Sequence, residues 1–203
     1  MAVKKLKCLL LILIFPIVAC THAIPRFGLS GRYLEGRDQF LRGRGGDMDK
    51  AVRALESVVR EDPTYKDSLT LLARAYYNQE RYADAYVILQ RALAINKDDE
   101  IGWLTIGMTQ LRLNDTERGL ESLKGAVTLL SKVSVSGYRE FKDWDNTSQV
   151  RTALRRCALM ITKGSESKEE VIRSGETLLR VMDDEENVQR RLKPRQLQRE
   201  LTQ

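Results

Sequence analysis

A pattern of large apolar and small residues that recurs after 34 residues constrains the fold of this 203-residue chain more than any other feature. In residues 66–99 a first group follows the i, i+3, i+4, i+7 spacing of one helix face, namely Leu69, Leu72, Ala73 and Tyr76. A polar break separates it from a second group with helical spacing, which consists of Tyr82, Ala85, Leu89, Ala92 and Leu93. The segment therefore predicts two helices joined by a short turn.

The same pattern recurs on both sides of this segment. In residues 100–133, Trp103, Ile106 and Gly107 stand at the positions of the first helix face, and the second helix is also in phase. In residues 32–65 the second helix matches, but Asp38 and Gln39 stand where an apolar and a small residue are expected. We expect about one extra residue in the turn of this first repeat.

Downstream of residue 133 the pattern weakens. Residues 134–167 predict a degenerate fourth unit whose second helix carries Ala153, Cys157 and Ile161. Residues 168 to about 192 predict a closing helix that covers the last exposed apolar face, and Pro194 permits a separate short helix after it.

These features resemble the tetratricopeptide repeat, whose small residues allow two antiparallel helices to approach closely while larger residues fill the space beside them. The resemblance is strong over residues 66–133, fair over 32–65 and weak beyond. It implies an all-α protein, namely a right-handed solenoid of helical hairpins with a C-terminal capping helix, in which residues 32–133 form three repeats and residues 134–203 form the fourth unit and the capping helices.

The first 20 residues predict export. Lys4, Lys5 and Lys7 precede an apolar run of 13 residues that is too short to span a bilayer, which needs about 20. The run ends in Ile-Val-Ala-Cys, which resembles a bacterial lipoprotein signal with Cys20 as the acylated first residue of the mature chain. We expect a signal peptide over residues 1–19, followed by the lipidated Cys20 and a linker that reaches residue 31. An ordinary signal peptide with an incidental Cys20 is the alternative.

Charge and cysteine content narrow the partner classes. Cleavage after residue 19 removes three lysines and no acid, so the formal net charge falls from +6 to +3. This modest charge and the exported location disfavour a nucleic-acid partner. Once Cys8 is removed and Cys20 is acylated, Cys157 has no disulfide partner within the chain, and its helical spacing predicts a buried apolar role.

The sequence offers little for catalysis. His22 is the single histidine and lies in the predicted linker, so neither a supported base nor a histidine metal site is expected. Asp183, Asp184, Glu185 and Glu186 lack the loop spacing of a calcium site, and we interpret them as a solvated helix face with Glu186 paired to Arg190. We expect no catalytic residue, no metal and no cofactor.

The sequence favours binding of a partner over catalysis. In tetratricopeptide repeats the first helix of each pair lines the concave side, and the resemblance places ligand contacts on a stripe of that helix. The predicted partner-binding groove comprises Phe40, Arg74, Tyr77, Asn78, Ile101, Leu104, Met108, Leu111 and Arg112. Such a mixed groove suits a peptide or helix with apolar anchors.

An alternative for the third repeat is that the C-terminal helices of the chain cover its apolar stripe. The family's two-carboxylate clamp is absent here, since Gly36 and Thr70 stand where its lysines are expected.

The sequence thus predicts a non-catalytic lipoprotein of a bacterial envelope that binds another envelope protein or peptide segment as a scaffold or assembly factor. Resemblance to lipidated repeat proteins suggests pilus or secretin assembly, outer-membrane biogenesis or polysaccharide export. Thr21 follows Cys20, where Asp would suggest inner-membrane retention, so the periplasmic face of the outer membrane is favoured. A self-associating structural lipoprotein and an accessory subunit of an envelope enzyme are the alternatives.

Overall fold

The computed structural model describes residues 28–133, 138, 141 and 143–200, so the predicted signal peptide, Cys20 and most of the linker lie outside the described residues. The described part is helical and contains no strand, which confirms the predicted all-α class. Its α-helices are α1 (Gly28–Leu41), α2 (Met48–Glu61), α3 (Ser68–Asn78), α4 (Tyr82–Ile95), α5 (Glu100–Arg112), α6 (Thr116–Val133), α7 (Gln149–Lys163) and α8 (Lys168–Glu200). Helix α1 begins at Gly28, so residues 28–31 belong to a helix and not to the predicted linker.

The first six helices form three hairpins that stack side by side. Helix α1 packs on α2, α3 on α4 and α5 on α6, while α2 contacts α3 and α4 contacts α5. The first helices of the hairpins also touch one another, α1 with α3 and α3 with α5. Each hairpin therefore buries its apolar faces partly within itself and partly against its neighbours, as stacked helical repeats do.

Close approach of the two helices in the third hairpin depends on Gly107. A Cβ added there would lie 2.7 Å from Leu123 Cγ and 2.9 Å from the carbonyl oxygen of Gly119. The corresponding small residues of the second hairpin, Ala73 and Ala85, are fully buried. The predicted register of the second and third repeats is therefore confirmed.

The first repeat has a different register from the predicted one. The small residue that meets the second helix is Gly36, whose added Cβ would lie 2.8 Å from Leu55 Cγ and 3.2 Å from the carbonyl oxygen of Ala51. Leu55 and Ala51 stand two repeats, or 68 residues, before Leu123 and Gly119, which are the partners of Gly107. The turn after α1 is thus longer by three residues, not by about one, and a short 3-10 helix at Gly43–Gly45 accommodates the extra chain.

Left-handed backbone ends the first helices of the second and third repeats. Glu80 has φ 61° and Asn114 has φ 65°, at positions 34 residues apart. The amide of the next residue then bonds back into the helix, from Arg81 to the Tyr76 carbonyl and from Asp115 to the Gln110 carbonyl. This arrangement caps the helix end and turns the chain into the second helix of the hairpin.

Past α6, aromatic side chains pack between the repeats and the C-terminal helices. The rings of Tyr138 and Phe141 lie 4.5 Å and 6.1 Å from the ring of Trp144, and all three residues are buried. Residues 134–137, 139, 140 and 142, which include part of the predicted first helix of the fourth unit, lie outside the described residues. Helix α7 buries Ala153, Cys157 and Ile161.

The chain ends in one long helix instead of two. Helix α8 runs from Lys168 to Glu200 and continues through Pro194, where the sequence predicts a break. It packs extensively on α7 and also contacts α5, so it reaches back across the repeats.

Candidate protein-binding groove

Helix α8 lies against the face formed by the first helices of the three repeats, α1, α3 and α5, which we call the groove. Carboxylates of α8 meet a side chain from each of these helices. Arg37 of α1 donates to Glu186 at 2.8 Å, and Arg74 of α3 donates to Asp183 at 2.6 Å. On α5, Arg112 donates to Glu176 at 3.1 Å. The groove is therefore lined with donors whose present partners are carboxylates of the same chain.

Arg74 occupies the middle of this surface. Its side chain is 9% exposed, and that of Asp183 is 23% exposed, so the ion pair is largely shielded from water. The guanidinium also lies over the ring of Phe40, 4.8 Å from its centroid, which is cation–π geometry. Arg74 thus joins the first repeat, the second repeat and α8.

Tyr77 and Arg112 share one carboxylate. The Tyr77 hydroxyl donates to Glu176 at 2.7 Å, and Arg112 reaches Glu176 and also Glu169, each at 3.1 Å. Burial raises the pKa of the Tyr77 phenol above its ordinary value, and its hydrogen bond to Glu176 acts in the same direction. The hydroxyl therefore stays protonated and serves as a neutral donor to the acid.

Helix α8 approaches the apolar side chains of α5 closely at Gly175, where it has no side chain. A Cβ added at Gly175 would lie 2.6 Å from Met108 Sδ and 3.8 Å from Leu104 Cδ1. Met108 and Leu104 are both fully buried. Gly175 therefore sets the distance at which α8 can approach α5.

The predicted groove residues fall into three environments. Phe40, Arg74, Tyr77, Ile101, Leu104 and Met108 are buried, and Arg112 is partly exposed, next to α8 or close to it. Leu111 is buried inside its own hairpin against Gly119 of α6. Asn78 is exposed at the edge of the groove. Binding of a partner by these residues stays a prediction, and the structure adds that α8 covers much of the surface concerned.

Sequence reasoning missed Arg37. It lies three residues before Phe40, just as Arg74 lies three before Tyr77, so the two arginines occupy equivalent positions. The signal was Gly36, because a small residue followed by Arg in α1 parallels Ala73 followed by Arg74 in α3. Aligning these glycine and alanine positions would have identified the longer turn and placed Arg37 in the groove.

Helix α8 does not fill the groove. A cavity of about 350 Å³ remains between α1, α3 and α8, bordered by Phe40, Arg74, Tyr77, Leu179 and Asp183 among others. In addition, the Nε atoms of Arg74 and Arg112 are buried without a hydrogen-bond partner, as judged over the described residues. A buried donor without an acceptor destabilises the fold, so each of these two Nε–H groups could still donate a hydrogen bond to an acceptor that reaches it.

Within the part of the chain that the structure describes, no three His, Cys, Asp or Glu side chains are grouped so that they could hold a metal ion. None of the described helices combines the length and apolar character that crossing a bilayer requires.

Comparison with known proteins agrees with the repeat architecture. Residues 44–111 match the family model for the tetratricopeptide repeat. This range covers helices α2 to α4 and nearly all of α5. A comparison with curated proteins gave no match to the chain.

Proposed function

Since this chain is a tetratricopeptide repeat protein, which suggests a role in protein–protein interaction, we propose that it is a non-catalytic lipoprotein of the bacterial envelope that acts as a scaffold or assembly factor. It would be anchored through Cys20, with the periplasmic face of the outer membrane favoured, and its repeats would bind a segment of another envelope protein. The anchoring and the binding can each be tested directly.

The groove carries the binding part of the proposal. It combines guanidinium groups with aromatic and aliphatic side chains on a row of adjacent helices, and its arginines already bind carboxylates. Arginine and tyrosine are the residue types that contribute most binding energy at protein interfaces. This composition supports recognition of a helix that presents acids beside apolar residues.

The anchoring part rests on the N-terminal sequence. A basic start, a short apolar run and a small residue before Cys20 support export and acylation. Lipoproteins of this type carry more than one acyl chain, and two chains are enough for stable attachment to a membrane. With helix α1 beginning at Gly28, the repeats would lie close to the bilayer.

Substitution of Cys20 tests the anchor. We expect Cys20→Ala to move the protein from the membrane fraction to the soluble fraction of the cell. Cys157→Ala is the matched control, because it removes a thiol from the folded body and should leave the protein with the membrane. Membrane retention of the Cys20→Ala protein would contradict lipidation at this residue.

Photo-crosslinking in cells tests the scaffold role. A photoreactive residue placed at Asn78 lies at the edge of the groove, whereas the same residue at Val87, an exposed position on α4, samples another part of the surface. We expect an envelope protein to be captured from position 78 and not from position 87. Absence of any captured protein from position 78 in intact cells would contradict binding at the groove.

A further inference from the structure

The acids of α8 that face the groove follow a regular spacing. Glu169, Glu176 and Asp183 are seven residues apart, which keeps them on one side of a helix, and Glu186 lies one turn further on. Between them they contact Arg112, Tyr77, Arg74 and Arg37. Helix α8 therefore shows how an acidic amphipathic helix binds this surface.

The fit of α8 is incomplete in specific ways. Arg74 is 8% exposed, yet only one of its terminal nitrogens donates to Asp183 and its Nε has no partner among the described residues. Arg112 also has a buried Nε without a partner. A guanidinium binds a carboxylate best through two parallel hydrogen bonds, and the cavity beside Asp183 leaves space for a longer acid. A helix with Glu at the position of Asp183 could satisfy donors that α8 leaves unpaired.

Helix α8 has a second attachment that is independent of the groove. It packs extensively on α7, whose Cys157 and Ile161 are buried. Its contact with α5 is narrower and depends on Gly175. The helix can thus leave the groove while α7 still holds it, and the chain need not unfold.

We propose that the groove is the binding site for an acidic amphipathic helix of a partner protein, and that α8 is a built-in competitor which the partner displaces. This inference rests on the proposed binding function and adds the partner class and its regulation. Recognition requires acids at positions p, p+7, p+14 and p+17 and a small residue at p+6, as in Glu169, Glu176, Asp183, Glu186 and Gly175. Charge complementarity with the groove arginines selects this occupant.

The test uses full-length variants in which α8 is released from the groove. Fluorescence anisotropy measures how tightly they bind a peptide. Gly175→Leu places a side chain against Met108 and should release α8, whereas Gly125→Leu is the control, because a Cβ there meets nothing within 4 Å. The probe is a labelled synthetic peptide of residues 168–192 with Asp183→Glu. The control peptide carries Gln at all four acid positions.

We expect the Gly175→Leu protein to bind the acidic peptide at least tenfold more tightly than the unmodified and Gly125→Leu proteins do. The Gln peptide should bind at least tenfold more weakly than the acidic one. Adding Arg74→Gln to the opened protein should also weaken binding at least tenfold. A second opened protein, Glu176→Arg with Asp183→Arg, releases α8 by charge repulsion and replaces Gly175→Leu if that variant loses its helical circular dichroism.

Three results would overturn the inference. The opened proteins could retain their helicity and bind neither peptide, or they could bind both peptides equally, which would mean that the acids are not recognised. They could instead form dimers by exchanging α8 and still not bind the peptide, which would make a second copy the occupant. None of these results would affect membrane attachment through Cys20 or crosslinking in cells, so failure here is distinguishable from failure of the scaffold proposal.

Discussion

At the scale of single residues, small side chains decide where helices can approach. Gly36, Gly107 and Gly175 each occupy a position where an added Cβ would lie under 3.0 Å from an atom of a neighbouring helix. Gly36 allows α1 to approach α2, and Gly107 allows α5 to approach α6. Gly175 allows α8 to approach α5. Substitutions at these positions therefore act on different contacts and have separable effects.

Gly107→Leu should destabilise the fold. The new side chain would meet Leu123 and the backbone of Gly119, and backbone cannot move aside without separating α5 from α6. We expect a loss of about 3 kcal/mol in the free energy of unfolding, the upper end for overpacked cores. Urea denaturation measures this loss, and Gly125→Leu is the control for the gain in helix propensity, because a Cβ there meets nothing within 4 Å. An unchanged midpoint for Gly107→Leu would contradict the assigned contact.

Cys157 should make stability depend on pH in the alkaline range. Burial raises the pKa of its thiol above the ordinary value, so the folded protein keeps the proton while the unfolded chain loses it above about pH 8.5. Stability is therefore complete below that pH and falls as pH rises, by at most about 1.4 kcal/mol per pH unit.

Comparison with Cys157→Ala isolates this effect, since the variant lacks the titrating group. Urea unfolding between pH 7.5 and 9.5 should give a steeper decline for the unmodified protein than for the variant. Burial also raises the pKa of tyrosines, that of Tyr76 to about 12, but both proteins contain the same tyrosines, so this contribution cancels in the comparison. Equal slopes for the two proteins would show that the thiol is not shielded.

At the scale of elements, the relation of α8 to the groove is the central feature. Its ion pairs with Arg37 and Arg74 are shielded by the surrounding helices, whereas its own Arg180 and Asp184 pair in the open, each 67% exposed. Exposed pairs contribute little to stability, and shielded pairs interact more strongly. The coupling of the shielded pair Arg74–Asp183 can therefore be compared with that of the exposed pair Arg180–Asp184, whose aspartate is the next residue of α8.

A double-mutant cycle on Arg74 and Asp183 should give a coupling free energy of about 1–2 kcal/mol by urea denaturation. The same cycle on Arg180 and Asp184 should give about 0–0.5 kcal/mol, as exposed pairs on helices do. If the Arg74–Asp183 coupling is no larger than that of the control pair, α8 is not held in the groove by this contact.

The hairpins could be predicted from the sequence, because each one packs residues that are close together in the chain. This packing requires apolar and small residues at helical spacing, which is visible in the sequence. The first-repeat register was wrong since Gly36, not Gln39, is the small residue at the helix contact. The role of the α8 acids could not be predicted. Glu186 does pair with Arg190, at 2.6 Å as expected, but it also binds Arg37, 149 residues away. Contacts at such separation leave no period in the sequence.

At the scale of the whole molecule, α8 changes how the repeats depend on one another. Stacked repeats ordinarily contact only their neighbours, so their stability is close to a sum of local contributions. Here one helix binds Arg37, Arg74 and Arg112, which belong to the first, second and third repeats. The three hairpins should therefore open together as long as α8 is seated.

Hydrogen exchange followed by mass spectrometry measures this coupling. In the unmodified protein we expect amides of α1 and α5 to exchange with similar free energies of opening. In Gly175→Leu, α1 at the end of the stack should exchange about tenfold faster than α5, because the bridging helix is no longer in place. Uniform acceleration of both helices would indicate general destabilisation instead.

The contact between Arg37 and Glu186 also has a consequence for biosynthesis. The acids of α8 are synthesised after the arginines that they bind, and for Arg37 and Arg74 the two partners are more than a hundred residues apart in the chain. Closing a loop of that size is slow compared with forming a hairpin between sequence neighbours. A newly made molecule therefore passes through a stage with folded repeats and exposed arginines. A partner protein that is present at that stage can bind the groove without having to displace α8.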